Sequence, residues 1–251
     1  MTSTLKINTI EPEGATTTLT VGEAGQDTVI AGAGIKANVL KDAGGNALFT
    51  SDGSGSISGV NSGFFGGTHV LLSSQTASGA SSVVFTSDID STYDEYRFEF
   101  YNINVATDSA DWGFNLSTDG GSGYGVAKCS AYVYCYAPET GTYGSTLTVD
   151  QAFDLPTGSA GAGGSNRQEL MTALGNGADE DGFGILRLYT PASTTFMKMW
   201  TSHTVSHSAT DQIRFIMTSG YTLSGTSAVD AVRFEASSGN FDGKVKMYGI
   251  K

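Results

Sequence analysis

The closing stretch of the chain, AVDAVRFEASSGNFDGKVKMYGIK over residues 228–251, sets the tightest limit on what can fold here. Val232, Phe234 and Ala236 alternate with Arg233 and Glu235, and Val245 and Met247 alternate with Lys244 and Lys246. A period of two puts one set of side chains on a buried face and the other in water, as an extended strand does. Between the runs lies SSGNFDG, dense in turn-formers, so the pair is predicted to be an antiparallel hairpin. The second run reaches almost to Lys251, so the chain is predicted to end inside a sheet.

The same alternation recurs from residue 68 onward. HVLLSSQ and SSVVFT come first, then YDEYRFEFYNIN, in which Tyr96, Phe98 and Phe100 face one way and Arg97 and Glu99 the other. WGFNLST, AKCSAYVYCYA, GFGILRLYT, TTFMKMWTSHTVSH and DQIRFIMTSG follow, while RQELMTAL reads as a short helix or an extra strand. The 34 glycines among 251 residues are about twice the usual ~7%, and the charged fraction of 15% falls well below the usual ~25%, a turn-rich and helix-poor composition. About eight to ten strands are expected over residues 68–251, which fits one antiparallel β-sandwich of jelly-roll type. Closure into a barrel is disfavoured by the unequal strand lengths. The interval 138–166, with its TGSAGAGGS run, reads as an exposed loop.

Residues 1–67 are different. Phe49 is the only aromatic before Phe64, yet short alternating pieces appear in STLKINTI, TTLTV, DTVIA, GIKANVL and NALFT. One copy of such a segment cannot bury enough apolar surface to offset its conformational entropy. Several copies wrapped together can, so residues 1–50 are expected to form an intertwined β region. Residues 51–67, opening on SDGSGSISG, read as a Gly/Ser-rich linker to the domain at 68–251.

With 13 Lys and Arg against 25 Asp and Glu, the formal charge is −12. Phosphate backbones and anionic lipid both demand a positive stripe, and the densest basic spot is only Lys244, Lys246 and Lys251. Nucleic acid is therefore not expected as a partner. No run approaches ~20 apolar residues, so no membrane-inserting helix is expected. MTSTLKINTI is too short and polar for a secretory signal, which makes a soluble product of a cytoplasm the expectation. Cys129 and Cys135 lie on one strand, roughly ~20 Å apart, beyond disulfide reach. With Ala131 and Val133 they are expected to face the core.

No catalytic constellation stands out: GxSxG and GxxxxGK[ST] are both absent. Asp88, Asp90, Asp94, Asp108 and Asp111 supply carboxylates for glycan cleavage only if two of them flank one bond. His203 and His207 share a strand face but lack a third ligand in sequence reach, and the acidic run Asp179, Glu180 and Asp181 lacks a calcium-loop ladder, so neither metal nor cofactor is expected. Asp119 and its glycines read as a hairpin turn. The stretch with a binding flavour is Tyr132, Tyr134, Tyr136 and Tyr143. A tyrosine ladder on a wet face holds sugar rings by stacking and hydroxyl contacts. Its alternative is burial, under a loop or between protomers.

The opening MTSTLKINTIEP, the Gly/Ser/Thr-rich strand region, YDEYRFEFYNI, FNLSTDGGSGY and the terminal SGNFDGKVKMYGIK together resemble virion fibre proteins of phages. The likeness is greatest to tail-fibre or receptor-binding-like proteins of marine phages, and the short chain suits a short tail fibre or head fibre. That resemblance implies a homotrimer on the virion, joined to other virion proteins by its N-terminus, with a distal domain facing the host. With no catalytic motif the expectation is a non-enzymatic structural protein, and a host cell-surface glycan is the ligand that the tyrosine ladder would suit. A capsid decoration protein and a surface-polysaccharide depolymerase are the alternatives. The second is weakened by the lack of a regular repeat.

Overall fold

The computed structural model describes residues 39–41, 46–51, 54, 57–60, 69–139, 146–155 and 167–251. The expected strands in STLKINTI, TTLTV and DTVIA, the TGSAGAGGS run and Tyr143 lie outside them. The chain divides into two compact units, Met1–Phe65 and Gly66–Lys251. The described residues contain no helix, so the architecture is all-β.

In the first unit, β1 (Val39–Lys41), β2 (Ala47–Ser51) and β3 (Ile57–Val60) form an antiparallel sheet in the order β1-β2-β3. Phe49 sits opposite Leu40 on one side and Val60 on the other. The third strand falls inside the stretch read as linker: Ile57 and Val60 are β-branched, and the strand they bracket finds a partner in β2. Val39, Leu40 and Lys41 are exposed, and Leu48, Phe49 and Thr50 are only half-buried.

The second unit holds one large antiparallel sheet. Its strands are β4 (His69–Ala80), β5 (Ser82–Phe85), β6 (Glu95–Val105), β7 (Ala110–Ser117), β8 (Lys128–Pro138), β9 (Thr146–Val149), β10 (Gln168–Leu174), β11 (Gly182–Tyr189), β12 (Met199–Ser208), β13 (Gln212–Thr222), β14 (Ala231–Ala236) and β15 (Phe241–Ile250). Nine of them follow the path β4-β15-β6-β11-β12-β10-β7-β14-β5, and β13, β8 and β9 branch off β12 as a flange. The two ends of the path, β4 and β5, are separated in sequence by Ser81 alone, and the Gln75 side-chain amide donates to the Val84 carbonyl across them at 2.5 Å. The sheet therefore comes close to a barrel, against the expectation from unequal strand lengths. Bulges and a single Leu174↔Ser208 bridge between β10 and β12 absorb the inequality.

The closing stretch is a pair of strands, but not a hairpin. β14 pairs with β5 and β7, whereas β15 pairs with β4 and β6. The connecting turn is held by another loop: Ser237 N–H donates to the Asp111 carbonyl at 2.7 Å and Ala106 N–H to the Asn240 carbonyl at 2.8 Å. Gly239 turns there at φ +71°, a left-handed value that glycine adopts without strain. The chain thus moves to a different place in the sheet between the two runs, and β15 carries it there to Ile250. RQELMTAL resolves as strand β10, buried along almost its whole length.

The core lies between these strands and is aromatic. Phe234 stacks on Trp112 with centroids 5.3 Å apart and planes at 11°, and meets Phe98 at 5.3 Å and Phe100 at 5.2 Å. Tyr96, Phe98 and Phe100 are buried, as their alternation predicts. Replacing Phe234 with Ala should cost about 3–5 kcal/mol in urea unfolding. Phe196→Ala, at a side chain 68% exposed, should change stability by less than about 0.5 kcal/mol. Equal costs at the two positions would mean that the core is elsewhere.

Candidate functional site

The tyrosine ladder is built by β8. This strand pairs with β13 in unbroken register from Lys128↔Thr222 to Pro138↔Gln212. Tyr132 is fully buried, and its hydroxyl shares a 2.8 Å hydrogen bond with Thr172 of β10. Tyr134 and Tyr136 are half-buried and stacked, with centroids 6.1 Å apart and planes at 24°. Arg214 lies 5.8 Å from the Tyr134 ring and donates to the Thr172 carbonyl at 3.2 Å. Tyr132 is therefore closed to a sugar ring, and among the described residues of the ladder Tyr134 and Tyr136 keep an edge toward solvent. The Cys face is reversed from expectation: Ala131 is exposed, and Val133 and the free thiols Cys129 and Cys135 are only half-buried. The larger tyrosines occupy the inward side because β10 lies beneath them and offers Thr172 as a hydroxyl partner.

The strands beside β8 show the same inversion. Ser202, Thr204, Ser206 and Ser208 of β12 point inward and are buried, whereas Met199, Val205, Ile213, Phe215 and Met217 point outward and are exposed. The registers align these outward residues in two rows. One runs Phe183–Val205–Phe215–Cys135–Leu147 and the other Ile185–His203–Met217–Val133–Val149, each crossing β11, β12, β13, β8 and β9. Neither row carries an acidic side chain, a lysine or an arginine. Small hydroxyls inside and large apolar groups outside are the reverse of a solvent-facing strand.

Two weak sequence signals converge at the far end of β12. His207 Nδ1 lies 3.6 Å from Glu180 Oε1, so one of the two histidines meets the acidic run 179–181. Its Nε2 lies 3.7 Å from Glu139 Oε2. One oxygen each of Glu139 and Asp211 and one ring nitrogen of His207 fall within 4.8 Å of one another, a set able to hold a metal ion. Glu139 N–H donates to the Asp211 carbonyl at 2.9 Å, which fixes the two backbones together. His203 stays apart, exposed on the apolar rows with its ring 6.2 Å from Phe215. Asp211 was within reach of sequence reasoning, since it sits in the turn between two adjacent alternating strands. Glu139 was not, because it arrives through the β8–β13 pairing.

The carboxylates weighed for glycan cleavage are split between the two ends of β6. Asp90 and Asp94 line a depression of about 190 Å³ near the start of β6. The Asp90 carboxylate accepts from Thr92 N–H at 2.8 Å and from the Tyr96 hydroxyl at 3.1 Å, and the Thr92 bonds hold its pKa below the usual range. Asp111 stands at the opposite end of β6, at the start of β7, where burial pushes its pKa up. The 11 residues of β6 span roughly 35 Å, so these two cannot flank one bond. The Asp119 carboxylate accepts from Ser117 Oγ at 2.7 Å and Gly123 N–H at 2.8 Å, as a turn residue does.

A buried charge cluster, which the sequence did not signal, joins β7, β8, β10 and β14. Arg167 grips both Glu169 carboxylate oxygens, at 2.9 and 2.7 Å, and Asn115 donates to Glu235 at 2.8 Å. Lys128 lies wholly inside, 3.4 Å from Asn115 Oδ1 and 5.5 Å from the Phe114 ring centroid. Burial drives the Lys128 pKa down to about 7, against the pull of Glu169 and Glu235. Burial likewise raises Glu169 to about 7, opposed by Arg167.

No known protein family, curated protein or solved structure matches the chain.

The lysine shift has a definite sign. Between pH 7 and 10.5 the unfolded chain binds a proton that folded Lys128 does not, so stability rises with pH across that window. Glu169 acts below about pH 7, with the opposite slope: its proton is held only by the folded state, and stability falls as pH rises toward 7. From pH 7.5 to pH 9, calorimetry should show a gain of about 2 kcal/mol that Lys128→Met abolishes. A flat wild-type profile would mean that the amine stays charged inside the fold.

Proposed function

We propose that this chain is a non-enzymatic structural protein of a phage particle, a short homotrimeric fibre. Its first unit joins it to other virion proteins, and its second unit faces the host surface. In this reading the second unit is a jelly-roll sandwich, and the strands of the first intertwine between copies. The observation that carries the proposal is the pair of apolar rows on β11, β12, β13, β8 and β9. In a chain of charge −12, two neighbouring five-strand rows without acid, lysine or arginine, bordered on β11 by the exposed Arg187, are built to be covered. The exposed side chains on and beside them include Ile213 at 53%, Leu147 at 72% and Val149 at 63%. Copies of the same chain are the natural cover, since closed symmetry satisfies the face on every protomer at once. The exposed Val39 and Leu40 of the first unit call for the same remedy.

The full chain should sediment as three chains, and Phe215→Glu combined with Met217→Glu should reduce it to one while leaving the melting temperature within a few degrees. Removal of residues 1–50 should leave the second unit folded and unable to attach to particles. Antibody labelling should mark the tail or the head fibres of the particle; uniform labelling of the shell would favour a decoration protein. A wild-type protein that sediments as one chain would end the proposal.

A further inference from the structure

The geometry points to a divalent-cation site at the tip of the β12–β13 hairpin, formed by His207, Glu139 and Asp211 and suited to zinc. Three donors from two separate parts of the sheet converge there: His207 and Asp211 flank the hairpin turn, and Glu139 follows the last residue of β8. One imidazole nitrogen and two carboxylate oxygens are a mixed set that zinc accepts, while calcium and magnesium take oxygen alone. The donors stand within 4.8 Å of one another, and zinc–ligand bonds near 2 Å call for a contraction that the exposed Glu139 and Asp211 side chains are free to make.

A second observation concerns the other side of the ring. His207 Nδ1 is shielded from solvent and makes no hydrogen bond among the described residues, yet it faces Glu180 Oε1 at 3.6 Å. Glu180 is itself held, because its Oε2 accepts from Gly177 N–H at 2.7 Å. At 3.6 Å the pair is not yet a hydrogen bond; a small approach of Glu180 would place the proton on Nδ1 and leave Nε2 free to bind metal, which is how ligating histidines are oriented. The backbone agrees: His207 N–H donates to the Asp181 carbonyl at 3.0 Å, and Gly175 N–H donates to the His207 carbonyl at 3.3 Å. Asp211 adopts φ 53°, a left-handed conformation that aspartate tolerates better than most residues. Without a cation, Glu139 and Asp211 crowd two negative charges together in a chain already strongly acidic. With one, the hairpin tip is pinned to the end of β8.

Titration of zinc alone into the full-length protein by calorimetry should show one saturable site per chain, and saturating zinc should raise the melting temperature by about 5 °C. His207→Gln should abolish the binding, and Asp211→Asn or Glu139→Gln should each weaken it at least about tenfold. Circular dichroism checks that these surface variants remain folded. His203→Gln, on the same strand but outside the set, should bind as the wild type does. Cobalt substituted for zinc should give visible absorption that His207→Gln removes. Absence of saturable uptake by the wild type would overturn the proposal. So would uptake unchanged in His207→Gln and Asp211→Asn, which would place the ion elsewhere.

Discussion

Phe234 is the contact on which the second unit depends. Its ring meets Phe85, Phe98, Phe100, Trp112 and Phe114, which belong to β5, β6 and β7, and it lies on β14 between two of those strands. A sheet that bends nearly into a barrel must fill its interior with side chains or collapse. Here the filling is a cluster of rings packed edge-to-face around one stacked pair, an arrangement worth about 0.5–1.5 kcal/mol per pair beyond buried area. The separation of β14 from β15 follows from this. A hairpin would have laid both runs side by side in the sheet, whereas the move to another place in it lets Phe234 and Phe241 approach Trp112 from different strands.

The flange of β13, β8 and β9 imposes a different condition. By lying over β10 it buries β7 and β10 along nearly their whole length, so residues that would otherwise meet water are enclosed. Arg167, Glu169 and Lys128 are the result, and each is costly inside unless paired. The Arg167–Glu169 fork and the Asn115 contacts supply that pairing. Along β12 the enclosed groups are hydroxyls, two of which find partners on neighbouring strands: Ser202 shares a 2.7 Å bond with Thr218, and Thr204 donates to the Leu170 carbonyl at 2.5 Å, whereas Ser206 Oγ has no partner among the described residues. Small hydroxyls on the inward side permit close approach of the layers. The large apolar residues of the same strands are then left on the outward side.

Alternation made most strands of the second unit legible in the sequence, but β9 lies in the interval read as loop and β10 reads equally as helix or strand. Twelve strands therefore stand among the described residues where about eight to ten were expected, and the pattern said little about their partners. Val232, Phe234 and Ala236 read correctly as one face of a strand, but nothing in that pattern revealed that β5 and β7, not β15, pair with it. Period-two patterning also left open which face is inside. On β8 both faces carry groups able to be buried, and the tyrosines went inward because Thr172 and Arg214 await them there. The candidate cation set was half visible. His207 and the acidic run 179–181 each drew attention, yet their meeting depends on β11 and β12 lying side by side, a long-range fact that no local spacing encodes.

The two proposals bear on one another through position. His207 lies on the outward side of β12, one alternation beyond Val205, and pairs across to Ile213, which begins the apolar outward side of β13. The ligand set therefore borders the face proposed to meet other copies. Acidic side chains at such a rim repel their counterparts on a neighbouring protomer, and the effect is strongest where apolar contact excludes water. A divalent cation there would cancel the charge of Glu139 and Asp211 at the place where repulsion counts most. If copies meet on this face, cation binding and assembly must favour each other equally, since linkage between two binding equilibria is reciprocal. A cation that binds without affecting assembly would mean that the contact between copies lies away from the hairpin tip, toward the Leu147 and Val149 side of the rows.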